Sequence, residues 1–545
     1  PVYDVQSLVV KRGFEALEEA GKNVLEEYML LHILPRDVAD AHLSGRLHLH
    51  DLSHWLLKPS EVIHDLRLFL TYGLKLENVS FSRHSLPPPK SFSAALNLIS
   101  NAVFYTAEEV SRGQTLEFFN VFLAPFIKGL DVNEIRAALK LFILGLSRFP
   151  RISINLELSV PDFLAEKPVL GLSESQPNNY GDYADESLHL ASILLDVYDE
   201  IVRSKPLTNP SITVKLRHKA LSNSIFDEAL IKAHQLAIGK TGVYFANLLK
   251  EDDAQATYSP SGCRLRTDLN GDWETDTLRI SVLGKVTVNL PRISIECEGD
   301  EEDFRRILEA RLDMAFRALE IKYRWFRSKA KNLLPFLTHN VNGDQYLRTT
   351  ASAMMVNLAG LREAAEVIYG KRLYDDDNAL NFAVKTSEFI SELLSAFTKR
   401  RERRLYASAL PSPVGSRRLA QLDIDIYGVS KVHFSGTRRQ PYYSTSAKID
   451  INDEQCSKMI MAEKEICRFL RGGTLIKVPF EGVPPKPEEL IYITRKLVGT
   501  YQVDLFTYVW KVTCCRQCGK SWPKLLHKCP SCGAVNPLTV FAWNP

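Results

Sequence analysis

Cysteine is nearly missing from the first half of this chain. Of nine cysteines, Cys263 alone precedes residue 297, and five crowd into residues 514–532. That distribution excludes a disulfide framework and favours a reducing, cytoplasmic home. No apolar run approaches the ~18 residues that a membrane-spanning helix needs. A net charge of +3 over 545 residues is too slight to imply a nucleic-acid or membrane partner. The opening Pro1, Val2, Tyr3 and Asp4 carry no signal-peptide pattern, and no repeat or low-complexity tract stands out. What is present is ordinary globular composition, 45% apolar and 24% charged. The length exceeds one compact core unless the fold is a large α/β barrel with additions.

Residues 5–34 carry helical periodicity, with Leu25 and Tyr28 to Leu31 closing an apolar face. His48, His50 and Asp51 follow on a short alternating run. The two histidines share a strand face, which could suit a metal but fits structural hydrogen bonding better without a third ligand nearby. After Pro87 to Pro89, the residues Leu96, Ile99, Val103, Ala107 and Val110 make one stripe of a helix, read as core or a dimer seam. Runs at 152–158, 212–216 and 243–248 read as strands, separated by helical stretches near 185–203 and 225–237. Such alternation argues for parallel β/α construction. Phe304 to Phe326 marks a further long amphipathic helix. Lys399 to Arg404, with Arg417, Arg418, Arg438 and Arg439, reads as a solvated basic face, with an anion site as the alternative.

Two stretches carry chemistry. Ser261, Gly262, Cys263 and Arg264 place a lone thiol at a loop tip, and the strand Gly284 to Arg292 returns behind it with Asn289. A small buried structural thiol is the bland alternative. At the other end, Cys515 and Cys518, then Cys529 and Cys532, form two CxxC knuckles ten residues apart, each followed by glycine. Four thiolates at this spacing predict a closed, structural zinc (Zn2+) site. Cys514 receives no role. Zinc ribbons also bind nucleic acid, but no strong basic stripe accompanies this one, so direct nucleic-acid binding is not expected.

Taken in order, these segments resemble the catalytic subunit of anaerobic (class III) ribonucleoside-triphosphate reductases, a glycyl radical enzyme family. The resemblance runs from about Leu25 to Cys532 through Gly45 to Leu52, Gly113 to Phe126, Gly262 to Leu265, Val286 to Ile293, Pro441 to Ser446 and the terminal ribbon. It implies a ten-stranded α/β barrel of two antiparallel halves, each of five parallel strands, over residues 1–510, with a finger loop near 258–284 and a zinc ribbon at 511–545. Cys263 is then the thiyl-radical cysteine that takes the 3′-hydrogen of a ribonucleotide. Asn289 is a substrate-orienting amide, and His64 with Ser444, Thr445 and Ser446 contacts substrate, the serine–threonine turn holding phosphate. The implied partners are ribonucleoside triphosphates, dNTP and ATP effectors, a second copy of the chain, and a radical-S-adenosylmethionine iron–sulfur activase. Formate is the implied reductant.

Three features depart from that family. No Arg-x-x-Gly-Tyr glycyl radical motif follows the ribbon. Ser60 to Leu66 holds no second active-site cysteine, and Glu61 falls near its position with His64 close by. No N-terminal ATP-cone precedes the match, so activity control through that domain is not expected. A radical-inactive homologue that binds nucleotides or a partner reductase is the alternative function. A zinc-ribbon nucleic-acid binder ranks last, because it explains nothing in residues 25–450.

Overall fold

The computed structural model describes residues 14–76, 85–171, 178–203, 205–239, 241–480, 485–522, 524–535 and 538–543. Two sets of five strands form its centre. The first comprises β1 (Glu61–His64), β2 (Gly113–Leu116), β3 (Ile152–Glu157), β4 (Leu207–Leu216) and β5 (Thr241–Asn247). The second comprises β6 (Ile280–Asn289), β7 (Ala353–Ala359), β8 (Arg404–Ser408), β9 (Ile476–Pro479) and β10 (Leu505–Cys515). Neighbours within the first set pair in parallel. So do those of the second, with β8 and β9 joined by the single parallel bridge Ala409–Thr474. Where the sets meet, β1 with β6 and β5 with β10, the pairing is antiparallel. The ring therefore closes into the ten-stranded barrel expected from the sequence.

Strand composition follows from this position. Helices cover the outside and a loop fills the inside, so the strands are buried on both faces. On β6 the two faces are distinguishable. A Cβ at Gly284 would meet Lys322 and Leu319 of an outer helix, whereas the next residue, Lys285, reaches an inner-loop serine. Lys285, Thr287 and Asn289 therefore share the inward face by strand alternation.

Helix α1 (Phe92–Glu109) is capped by Ser91, whose side chain accepts from the Ala94 N–H. Its Leu96, Ile99, Ala102 and Val103 are buried. After β6 come α2 (Leu290–Glu296) and then α3 (Glu301–Leu333), whose first turn carries Glu301, Glu302 and Asp303 and whose last carries Lys331. Both ends of α3 thus suit the helix dipole. α4 (Leu361–Tyr369) follows β7, and α5 (Pro413–Tyr427) follows β8.

Some expectations change. Only part of the first predicted helix is described, Phe14–Tyr28 with a π-turn over Met29–Ile33, and residues 5–13 lie outside the described residues. Within its expected apolar face, Met29 and Leu30 are buried but Tyr28 and Leu31 are exposed. The basic run also divides: Lys399, Arg400 and Arg401 are the exposed end of a helix, while Arg404 is buried and donates to the carbonyls of Arg266, Asp276 and Ala351. Arg404 is an internal clamp on the base of the loop that enters the barrel.

Beyond the barrel, β10 continues into an antiparallel pair with Leu538–Trp543 and a short pair with Ser521–Trp522. This hairpin carries the four clustered cysteines. Among the described residues no helix is long and apolar enough to cross a membrane.

Candidate active site and zinc ribbon

The link from β5 to β6, residues 248–279, turns into the barrel. Its two innermost strands, Thr257–Tyr258 and Arg264–Leu265, pair antiparallel and put Ser259 to Cys263 at the tip. Gly262 makes the turn possible. Its φ is +85°, and a Cβ there would lie 3.0 Å from Leu505 and 3.3 Å from Leu410. Arg264 anchors the tip from behind, with Nη1 2.8 Å from Asp504 and 3.3 Å from Asp253. Its Nε and Nη2 donate to the carbonyls of Arg471 and Leu470, and its N–H donates to Gly472 O at 3.0 Å.

Cys263 is fully buried. Burial pushes its thiol pKa up, opposed by nearby Lys285, so the resting form is S–H. Hydrogen positions around it follow from valence. Glu61 Oε2 accepts from Ser259 Oγ at 2.6 Å and Ser261 Oγ at 2.8 Å, because a carboxylate has no hydrogen to give. Each hydroxyl has only one hydrogen, so both serines are acceptors on their other side. Ser259 Oγ accepts the Cys263 N–H at 3.1 Å. Ser261 Oγ accepts from Lys285 Nζ at 3.3 Å and faces Cys263 Sγ at 3.4 Å, where the S–H is the donor. Glu61 is therefore a positioning residue that orients the thiol through two serines. Its second oxygen, Oε1, is buried without a hydrogen-bond partner.

A second polar group stands beside this cluster. Arg112 bonds Asp51 at 2.7 Å and donates from Nη2 to His50 Nδ1 at 3.1 Å. A guanidinium only donates, so His50 carries its hydrogen on Nε2 and gives it to Thr287 Oγ1 at 2.7 Å. Burial holds His50 well below its ordinary pKa, in the neutral form this pattern requires. With Arg112 on one nitrogen, His50 cannot serve as a metal ligand. The structural, hydrogen-bonded reading holds for His50, whereas His48 Nδ1 is buried without a hydrogen-bond partner.

Beyond β8, a cavity of about 400 Å³ opens at the C-terminal ends of the second strand set. Ser412, Ser444, Thr445, Ser446, Arg362, Arg417, Lys448 and Lys477 are among its walls. The turn at Ser444 is held from behind by Glu363, which accepts the Ser444 N–H at 2.9 Å and its hydroxyl at 2.6 Å. The serine–threonine turn thus lines a polar cavity.

Two predicted site residues stand elsewhere. Asn289 caps α2: its Oδ1 accepts the Arg292 N–H, and its Nδ2 donates to Gly45 O and Asp423. With both ends of the amide committed and no exposure, it does not line the cavity or touch the Cys263 cluster. It acts at one remove, because Asp423 also accepts from Tyr443, the neighbour of Ser444. His64 is corrected by strand parity. Glu61 points inward, so His64, three residues on, points outward, where Tyr346 Oη and Gln114 Oε1 bond its ring at 2.7 and 3.0 Å. Burial lowers its pKa to about 4. Lys285 and Arg112 went unrecognised in the sequence. The alternation Lys285, Thr287, Asn289 was the available sign of a polar inward face.

In the ribbon, one sulfur atom from each of Cys515, Cys518, Cys529 and Cys532 lies within 4.8 Å of the others. Cys515 and Cys532 stand 3.6 Å apart, as do Cys518 and Cys529. Tetrahedral thiolates at a ~2.3 Å metal–sulfur distance are separated by about 3.8 Å, so these residues fit zinc. The knuckles match: Gly519 N–H donates to Cys515 O and Gly533 N–H to Cys529 O, both at 2.9 Å, with both glycines at positive φ.

Fold and site define a ten-stranded barrel that carries one buried thiol on an inner loop. The family model for anaerobic ribonucleoside-triphosphate reductase matches residues 15–542, and the chain belongs to that family. It is similar to the anaerobic ribonucleoside-triphosphate reductases of Salmonella typhimurium, 24% identical over 463 residues, and Escherichia coli, 24% over 462. Each alignment covers 78% of this chain and 63% of the relative, so the chain spans less than two thirds of their length. The crystal structure of the Thermotoga maritima anaerobic ribonucleotide reductase in complex with dATP and CTP superposes with a TM-score of 0.78 at 17% identity. That match covers 97% of this chain and 89% of the other, and shows the shared fold.

Proposed function

We propose that the chain is the catalytic barrel of an anaerobic ribonucleotide reductase acting on ribonucleoside triphosphates. The observation that carries this reading is Cys263, buried at the tip of the inner loop with its S–H oriented by Ser261 and Glu61. A thiyl radical there takes the 3′-hydrogen of the ribose, and water then leaves from C2′. Exclusion of solvent protects such a radical, and the rigid serine pair limits the sulfur's freedom. The Ser444–Ser446 turn holds substrate phosphate at the barrel mouth. Zinc on Cys515, Cys518, Cys529 and Cys532 would stiffen the C-terminal hairpin. Residues 1–510 form the catalytic domain and 511–545 the ribbon. The working assembly is a cytoplasmic homodimer, α1 supplying the seam beside which nucleotide effectors bind, with a radical-S-adenosylmethionine activase as the partner that the family implies; a glycyl radical is expected by family, but its glycine is not in this sequence.

Formate is the expected reductant by family, but Glu61 falls near the position where formate-using members carry a second cysteine. A carboxylate cannot relay a hydrogen atom as a thiol does, so formate dependence is a separate question from turnover. The test is anaerobic assay of dNTP formation after activation, with and without formate, for wild type and Cys263→Ser. Turnover that disappears in Cys263→Ser while nucleotide binding persists supports the reading. Residual turnover in that variant refutes the assignment of Cys263. Nucleotide binding without turnover in the activated wild type points to the radical-inactive homologue.

A further inference from the structure

A carboxylate, an ammonium and a thiol converge on one hydroxyl at the tip of the inner loop. Ser261 Oγ lies 2.8 Å from Glu61 Oε2, 3.3 Å from Lys285 Nζ and 3.4 Å from Cys263 Sγ. Glu61 is 1% and Lys285 3% exposed. The anion and the cation are thus buried close together, joined through the serine rather than as a direct ion pair. Neither is satisfied. Glu61 Oε1 is buried with no hydrogen-bond partner, and among the described residues Lys285 donates to Ser261 alone, with two N–H groups to spare. Buried charges left short of partners are costly. A ligand that offers Glu61 a donor and Lys285 an acceptor meets that cost, as two neighbouring hydroxyls do. The 400 Å³ cavity leads to this place. Its Ser412 faces His50 Nε2 at 3.4 Å, His50 bonds Thr287, and Lys285 is the next inward residue of β6, about 7 Å deeper. Other nearby donors are poor acids: the Arg112 guanidinium does not give up its protons, and the His50 N–H is committed to Thr287.

Resting on the reductase reading, we infer that Lys285 is a further catalytic residue, the donor of the proton with which the C2′ hydroxyl leaves as water. Once the Cys263 sulfur has taken the 3′-hydrogen, the 3′-hydroxyl proton passes to the open oxygen of Glu61. The C3′ oxygen becomes a carbonyl, the C2′–O bond breaks, and the departing hydroxyl takes a proton from Lys285. The unpaired electron moves from C3′ to C2′, and no electron enters or leaves. Glu61 then holds one proton and Lys285 lacks one. Ser261, bonded to both, is the path by which that proton returns.

Two measurements on the zinc-loaded full chain test this with Lys285→Met. Calorimetry compares a ribonucleoside triphosphate with its 2′-deoxy analogue. The variant should lose about tenfold in affinity for the ribonucleotide and nothing for the analogue, which lacks the oxygen that Lys285 contacts. Binding of either nucleotide elsewhere on the chain cancels in the comparison with wild type, because Lys285 is buried inside the barrel. After activation, the variant should reduce the ribonucleotide about a hundredfold more slowly. Chloride needs no proton to leave. Its release from the 2′-chloro-2′-deoxy analogue should therefore stay within about threefold of wild type, which also shows that the variant is folded. Equal loss with both substrates makes Lys285 structural and overturns the inference. Unchanged reduction overturns it too, as does an affinity loss that ignores the 2′-hydroxyl. In each of those cases wild type remains active. An activated wild type that processes neither substrate refutes the reductase reading, and the proton-donor role with it.

Discussion

Replacing Arg264 with Met tests whether the inner loop is held chiefly by one buried ionic knot. The arginine side chain is 2% exposed, and its partners Asp504 and Asp253 are 5% and 0% exposed. Removing one member of a buried ion pair costs roughly 3–5 kcal/mol, because the remaining charge is stranded. Here Lys250 still reaches Asp504 at 2.8 Å and Arg266 reaches Asp253 at 2.6 Å, so the low end, about 3 kcal/mol, applies. That energy corresponds to on the order of a hundredfold in an opening equilibrium. Because Arg264 ties the loop rather than the strand ladders, the loss should fall on local opening of residues 256–266. Hydrogen exchange read by mass spectrometry resolves it through the N–H groups of Gly262, Cys263 and Arg264, each bonded within the tip or to Gly472. Exchange there should accelerate about a hundredfold, with Cys263 alkylation accelerating in parallel and the β3–β4 ladder unchanged. The sign with pH is also determined. Burial alone would raise the Asp504 pKa, but Arg264 and Lys250 hold it below the ordinary carboxylate range. The wild-type contribution is therefore present above the unfolded pKa and is lost as pH falls through the folded one. Without Arg264 the largest charge opposing burial is removed, so the loss of protection on acidification should be smaller in the variant than in wild type. Unchanged loop exchange, or equal acceleration across the barrel, would refute the argument.

Gly262→Ala should destabilise the tip by about 1–2 kcal/mol, since its φ of +85° disfavours a side chain and the added Cβ meets Leu505 at 3.0 Å. Denaturant unfolding of that variant, compared with the neutral surface change Gly129→Asn, checks it. Metal analysis should find one zinc per chain in wild type and none in Cys515→Ser. Chelation should change Trp543 fluorescence, because its indole N–H bonds Thr507 on β10, while barrel circular dichroism stays constant. Glu109 caps the N–H groups of Phe336 and Leu337, and burial raises its pKa from 4.5 to about 7. A folded carboxyl with a raised pKa binds more protons than the unfolded one, so its ionisation lowers stability as pH rises from about 4.5 to 7. Glu109→Gln should remove that one-proton slope in urea titrations across this window.

Local chemistry was legible where it depends on spacing alone. The zinc knuckles need only Cys515, Cys518, Cys529 and Cys532 with their glycines, and Gly262 beside a solitary thiol already implied a tight tip. The strands were visible as short apolar runs; closure of the ring was expected only through the family resemblance, and the single bridge at Ala409 not at all, since both are long-range pairings. Errors arose where one residue has two good uses. Asn289, with Pro291 two places later, is a helix-start signal, and its amide is consumed by the cap. On β1 an offset of three residues decides everything: Glu61 faces the thiol and His64 faces the helices. Arg404 shows the same ambiguity between surface charge and buried clamp, which only the carbonyls around it resolve.

The antiparallel meeting of the two strand sets has a topological consequence. In an all-parallel barrel every connection must travel the height of the wall on the outside, and the lumen is left to side chains. Here β5 ends and β6 begins at the same rim, so the chain between them has no height to recover. It is free to descend into the lumen and climb out again. Main chain thus becomes the filling, and a backbone plug can hold one atom at a chosen depth in a way that layered side chains cannot. Because the plug enters by one rim, the opposite rim stays open, and whatever approaches the sulfur can arrive without displacing the segment that presents it.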